Sequence, residues 1–278
     1  MIYNKRLAIF YTILIPLSIV ILYPIFWTII NSLKSEKEFI LSTFSLPTSL
    51  HFENYLIAWA GPRGTGLFLY FVNSIIVTGA SLALLLVLSA LGGYGFARFN
   101  FKGNYILLSY ILIGLAFPAH AMIIPLVVIY NFLKILNTYW SLILTFVGFN
   151  LPFGILMMRS FFISFPKEIE EAALIDGCST TQIFWKIVLP LTKPAITSLL
   201  VLTFLTVWND FLFSYVFITD RNLWTLPRGI FAFIGEEQEV PWTVLNAAFI
   251  ISMIPTMIFY IFFQRELMKG TTAGALKA

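Results

Sequence analysis

Hydrophobic positions in this chain neither alternate nor recur at helical spacing; they run together. Near-uninterrupted apolar stretches of about 18 residues or more, the length a helix needs to cross a bilayer, occupy 7–30, 68–91, 105–130, 139–158, 195–218 and 243–263. They predict an all-α, polytopic membrane protein with six transmembrane helices in a single domain over 1–278. The first run is longer than the roughly 7–15-residue core of a secretory signal and lacks an A-x-A-like cleavage site, so it reads as a retained anchor. Pro16 and Pro24 lie inside it, which membrane helices tolerate where neighbours re-satisfy the freed carbonyls.

The polar intervals carry as much information as the runs. The interval 159–194 is too long to be a bare connection. Pro166 suits a first helical turn, Glu168, Glu170 and Glu171 crowd the end where the helix dipole favours negative charge, and Gly177 is a natural left-handed stop. These features predict a helix of about three turns on which Ile169, Ala172 and Ala173 share one face, with Glu170 and Glu171 mostly off it. The following STTQIFWKIVLP opens with Ser179 and Gln182 at capping-box spacing and stops at Pro190, giving a second short helix at an angle set near Gly177. Such a pair can form a knob that enters a groove on another protein. Equally, Phe184, Trp185 and Ile187 can lay it on lipid headgroups.

Composition agrees with a lipid environment: 59% of residues are hydrophobic, 11% charged, and the mean hydropathy is +0.91, where a soluble domain carries roughly 25% charged residues. With both termini inside, eleven of the 17 Lys and Arg residues fall in the inner segments 1–6, 92–104, 159–194 and 264–278. That bias supports the orientation. The net charge of +4 follows from it and needs no nucleic-acid partner. Cys178 is the only cysteine, so no disulfide forms within the chain, and His51 and His120 lie too far apart in sequence to suggest a metal site.

Glu171, Ala172, Ala173, Gly177, Ile187, Leu189 and Pro190 match the pattern EAA-x3-G-x9-I-x-LP at its full spacing. The stretch resembles the signature of membrane permease subunits of binding-protein-dependent ABC importers. NSLKSEKEF, GGYGFARFNFKG, WNDF and FFQRELMKGTTAGALKA look like the carbohydrate-import branch, specifically the second permease of the maltose-transporter type. Cys178 departs from the small residue, usually alanine, expected there, but is itself small. The resemblance implies a type I importer permease in a bacterial or archaeal cytoplasmic membrane. It further implies that 159–194 docks on a cytoplasmic ATPase dimer through the motif residues and Asp176. A second homologous permease and an extracytoplasmic sugar-binding protein would complete the assembly.

No G-x-x-x-x-G-K-[ST] occurs in the chain. GPRGTG at 61–66 has no lysine and reads as a flexible turn, so ATP and Mg belong to the separate ATPase, and this chain is a transport subunit with no cofactor or catalytic site of its own. Of the outer segments 31–67 and 219–242, the resemblance directs the second toward the docked receptor; an interfacial aromatic belt is the other reading of Trp224 and Trp242. An ion-coupled secondary transporter would usually show intramembrane acids and discontinuous helices, and Asp210 alone supports it. Asp210 falls about 22 Å along the fifth run. It either holds the helix to a neighbour or lines the pathway, with Asn209 pointing roughly 100° away. Outside Asp210 and His120 the span centres hold no ionisable group, and aromatic faces suit sugar rings, so a neutral sugar is the expected solute.

Overall fold

The computed structural model describes residues 2–61, 66–235 and 240–275; the centre of the GPRGTG stretch, 236–239 of the second outer segment, and the terminal 276–278 lie outside them. Among the described residues every regular element is helical. In chain order these are α1 (Ile2–Ser32), α2 (Glu36–Leu41), α3 (Glu53–Ala60), α4 (Leu67–Arg98), α5 (Asn104–Ile113), α6 (Ile123–Phe132), α7 (Tyr139–Ser164), α8 (Glu168–Ile175), α9 (Thr180–Ile183), α10 (Leu189–Leu191), α11 (Lys193–Trp208), α12 (Leu212–Phe217), α13 (Leu226–Gly235) and α14 (Trp242–Ala275).

Among the described residues four helices are long and apolar enough to cross a membrane, and six spans result if each of two bent pairs counts as one. The first bend interrupts a run that reads as uniform in sequence. Between Asn104–Ala116 and Ala119–Phe132 the chain turns by 91°. Pro118 disfavours the helical region for the residue before it, and Phe117 is accordingly extended at φ −85°, ψ 121°. The second pair, Thr180–Leu191 and Lys193–Trp208, turns by 71°. Hydropathy does not register the first bend, because both of its arms are apolar; the second falls at Thr192, just past Pro190, in the interval between the fourth and fifth runs.

The chain divides into two compact units. In the unit of Met1–Phe71 and Gly229–Ile254, polar groups close the turns. Asn54 Nδ2 donates to the carbonyls of Ser32 and Lys34, both at 2.9 Å, and the buried Lys34 ammonium donates to Ser42 O at 2.8 Å and Thr43 O at 3.2 Å. Glu36 accepts from the N–H groups of Trp242 and Thr243 at the start of α14, an anion placed on the positive end of a helix.

In the unit of Val72–Arg228 and Pro255–Ala278, α4 and α7 cross at small residues. A Cβ on Gly154 would lie 2.1 Å from Ser89 Oγ, and one on Gly93 would lie 2.6 Å from Met158 Cβ. Only the missing side chains permit that approach. Leu85, Leu142, Met158, Phe162 and Leu199 fill the core beside it.

Candidate functional site

Residues 168–190 and a cavity lined around Asp210 carry the candidate chemistry. The helix α8 begins at Glu168, two positions beyond Pro166, and runs about two turns rather than three. It stops where expected. Gly177 sits at φ +84°, its N–H donating to Leu174 O while that of Cys178 donates to Ala173 O, both at 3.0 Å. This bond pair closes a helix through a left-handed residue and satisfies carbonyls the helix leaves open. The capping box forms as the spacing predicts: Gln182 N–H donates to Ser179 Oγ at 3.3 Å and Ser179 N–H to Gln182 Oε1 at 2.9 Å. The second short helix does not end at Pro190. It widens into a π turn over Phe184–Val188 and continues to Leu191, because Pro190 offers no N–H and its ring crowds the carbonyl four residues back.

The three residues expected on one face of α8 are divided. Ala173 is buried, but Ile169 and Ala172 are exposed and Glu170 is half-buried. The inward stripe is therefore Glu170–Ala173, spaced i, i+3. Its cause is a partner that lies 72 positions away: Arg98 Nε donates to Glu170 Oε1 at 2.7 Å, its Nη2 stands 2.6 Å from the same oxygen, and Tyr94 OH donates to Oε2 at 2.9 Å. Glu171, Ala172, Asp176, Gly177 and Pro190 point outward. They are joined there by Ile175, 87% exposed, and Leu174. Ile187 and Leu189 are half-buried, whereas Ile183, Phe184 and Val188 face the interior.

The cavity, about 630 Å³, lies where the break near Phe117 and a further break between α11 and α12 meet α7. Its polar lining is His120, Thr145, Asn150, Thr206, Asn209 and Asp210, and its aromatic lining is Phe117, Phe146, Phe149, Phe211 and Phe213. The fifth apolar run is not one helix. Its first part, α11, ends at Trp208, and Asp210 Oδ1 accepts from the N–H groups of Phe213 and Ser214 at 3.2 and 3.3 Å, capping α12 as aspartates cap helix starts. Asp210 thus bonds the next helix of its own run and lines the cavity. Because regular helix geometry ends at Trp208, Asn209 also reaches this cavity, despite the 100° separation expected of an unbroken helix.

The amide nitrogens of Asn150 and Asn209 donate to carbonyls of their own helices, at 2.7 and 2.9 Å, which leaves each amide oxygen as an acceptor. Phe213 is the hub of the aromatic wall: His120 stacks on it at 5.4 Å and 17°, and Phe149 at 6.3 Å and 15°. None of the described lining residues is Lys or Arg.

Sequence reasoning missed the polar side chains that hold the segment beyond α12. Asn73 Nδ2 donates to the carbonyls of Asn222 and Trp224 while its Oδ1 accepts from Tyr139 OH at 2.7 Å. Asn137, at φ +60°, accepts with Oδ1 from the N–H groups of Thr219 and Asp220. Trp224 is not an interfacial residue: it is buried, with the Arg228 guanidinium 4.3 Å over its ring. Trp242 is exposed.

A family model described as the binding-protein-dependent transport system inner membrane component matches residues 86–270. The chain is 35% identical, over 97% of its length and 89% of the relative's, to the diacetylchitobiose uptake system permease protein NgcG of Streptomyces coelicolor. It is 34% identical, over 95% of its length and 94% of the relative's, to the trehalose/maltose transport system permease protein MalG of Thermococcus litoralis. Among solved structures, a chain of a bacterial ABC transporter involved in the import of alginate superposes with a TM-score of 0.82 at 23% identity, covering 95% of this chain and 97% of that one.

Proposed function

The chain belongs to the family of binding-protein-dependent transport system inner membrane components, and we propose that it forms half of a sugar pathway driven by a separate cytoplasmic ATPase dimer. It is a multi-pass protein of the cytoplasmic membrane, the permease subunit of a carbohydrate ABC importer rather than an enzyme. The family match and the named relatives decide against the ion-coupled alternative, whose broken spans and intramembrane acid the chain also carries. In the proposed assembly ATP and Mg are held by the ATPase, a second homologous permease completes the pathway, and an extracytoplasmic binding protein delivers the sugar. Both termini and 159–194 face the cytoplasm, a reading supported by the clustering of Lys and Arg in those segments.

The observation that carries the docking role is the outward set on 168–190. Glu171, Ala172, Asp176, Gly177 and Pro190, with Leu174 and Ile175, form an exposed surface of small, apolar and acidic residues around the stop of α8 at Gly177 and the capped start of α9. Ala173, Ile187 and Leu189 belong to the same unit but act from within, holding the knob's shape. An exposed isoleucine beside a left-handed glycine suits insertion into a protein groove better than contact with headgroups, since Glu171 and Asp176 share that face.

Asn209 and Asp210 line the pathway in this reading. The two named relatives are systems for diacetylchitobiose and for trehalose and maltose, all uncharged saccharides. The cavity suits the same class. Its carboxylate and amide oxygens accept from hydroxyls, its phenyl rings cover sugar faces, and its described lining brings no Lys or Arg to an anionic solute.

The purified complex, reconstituted in proteoliposomes, tests this. Uptake of diacetylchitobiose, trehalose or maltose should require ATP and the ATPase and should survive a protonophore. Uptake that collapses with the ion gradient and ignores ATP would contradict it.

A further inference from the structure

We infer that Glu170 is a positioning residue that ties the docking helix to the second span, so that movement of α8 is passed to α4 and from there to the pathway. This rests on the assignment of 168–190 to the ATPase interface and adds a role that the motif does not contain. The two adjacent glutamates divide the work. Glu171 is exposed on the docking face; Glu170 turns inward to a pair whose side chains are 8% exposed at Arg98 and 12% at Glu170.

An eight-residue helix is too short to hold itself in place, so α8 moves with whatever grips it. Chain continuity grips its ends, through 165–167 from α7 and through α9. Glu170 grips its middle. Both of its oxygens are engaged, Oε1 by Arg98 and Oε2 by Tyr94. Arg98 Nη2 also donates to Phe165 O at 3.1 Å, on the linker between α7 and α8. The Tyr94 ring packs edge-on against Phe162 of α7 at 5.5 Å and, tilted by 51°, against Phe184 of the π turn at 5.0 Å. Apolar packing would let α8 slide or roll over α4. A charge-assisted hydrogen-bond cluster weakens steeply with angle and fixes one register.

The test uses the complete complex, with Thr206→Cys as a reporter in the cavity wall and Cys178→Ala to remove the native thiol. Labelling by a maleimide is timed without nucleotide and with ATP and vanadate, and ATP hydrolysis and co-purification of the ATPase are measured on the same preparations. With Glu170 intact, trapping nucleotide should change the labelling rate. Two changes release the grip: Glu170→Gln, and the pair Arg98→Leu with Glu170→Met, which leaves no buried charge unpaired. In both, the nucleotide-dependent change should shrink by roughly three- to tenfold while hydrolysis persists. A merely structural role would instead lower co-purification and hydrolysis together and leave the response of assembled complexes intact, and that result overturns the inference. Should neither variant assemble, Tyr94→Phe decides: it keeps the ion pair and removes one bond, and an unaltered response there overturns the inference. A reporter indifferent to nucleotide with Glu170 intact would overturn the importer reading itself, and this inference with it.

Discussion

Residues 168–190 and the cavity around Asp210 both depend on interrupted helices, but the interruptions are specified differently. In the first, the signals are local: Gly177 stops α8, and Ser179 and Gln182 start α9 within six positions. In the second, the lining is gathered from 114–120, 145–150 and 205–213, and each break is hidden inside an apolar run. The docking segment must present one shape to a partner, and short-range capping supplies that. A pathway must keep polar groups accessible at membrane depth, where irregular backbone is tolerated only against protein or a wet cavity. Breaking two spans beside α7 meets that condition.

The contrast predicts that the docking segment fails sharply and the cavity by degrees. The largest effect is expected at Gly177. No atom lies within 4 Å of where its Cβ would be, so strain comes from its left-handed backbone, which costs a branched residue about 1–2 kcal/mol, and any crowding comes from the ATPase. Gly177→Val should lower uptake more than about tenfold with membrane insertion intact. Gly177→Asn, which tolerates that backbone, should retain the helix stop, and the difference in uptake between the two separates strain from crowding at the interface.

Next comes the crossing that supports both regions. Gly154→Ala drives a methyl into Ser89 and should destabilise the protein by about 1–3 kcal/mol, read as a lower melting temperature in detergent. At the cavity, Asp210→Asn keeps an oxygen to cap α12 and should import nearly normally. Asp210→Ala removes the cap, at a cost of about 1 kcal/mol, and should also reduce uptake. If both import normally, the cavity is not the pathway. The smallest effect is expected for His120→Ala, which removes one ring from the wall of Phe213 and should raise the half-saturating sugar concentration a few-fold, about 0.5–1.5 kcal/mol, without changing the maximal rate.

The same contrast explains how far the sequence could be read. Helix stop, capping box and motif register were legible at 168–190 because each depends on residues within a few positions. The inward turn of Glu170 was not, since it is set by Arg98 and Tyr94 on another helix. Neither were Asn73 and Asn137, whose partners lie more than 60 positions away. Pro118 was visible, but prolines also occur inside α1, α7 and α14, so a proline in an apolar run does not by itself mark a break.

Docking of 168–190 on a separate ATPase is open to cross-linking from Cys178. This thiol is the chain's only one, free and half-buried beside Gly177. In membranes holding the whole complex, it should form a disulfide or short cross-link with cysteines introduced in one groove of the ATPase, at a few neighbouring positions and no others. A scan of the ATPase surface that yields no such cluster, in complexes that hydrolyse ATP, would contradict the account.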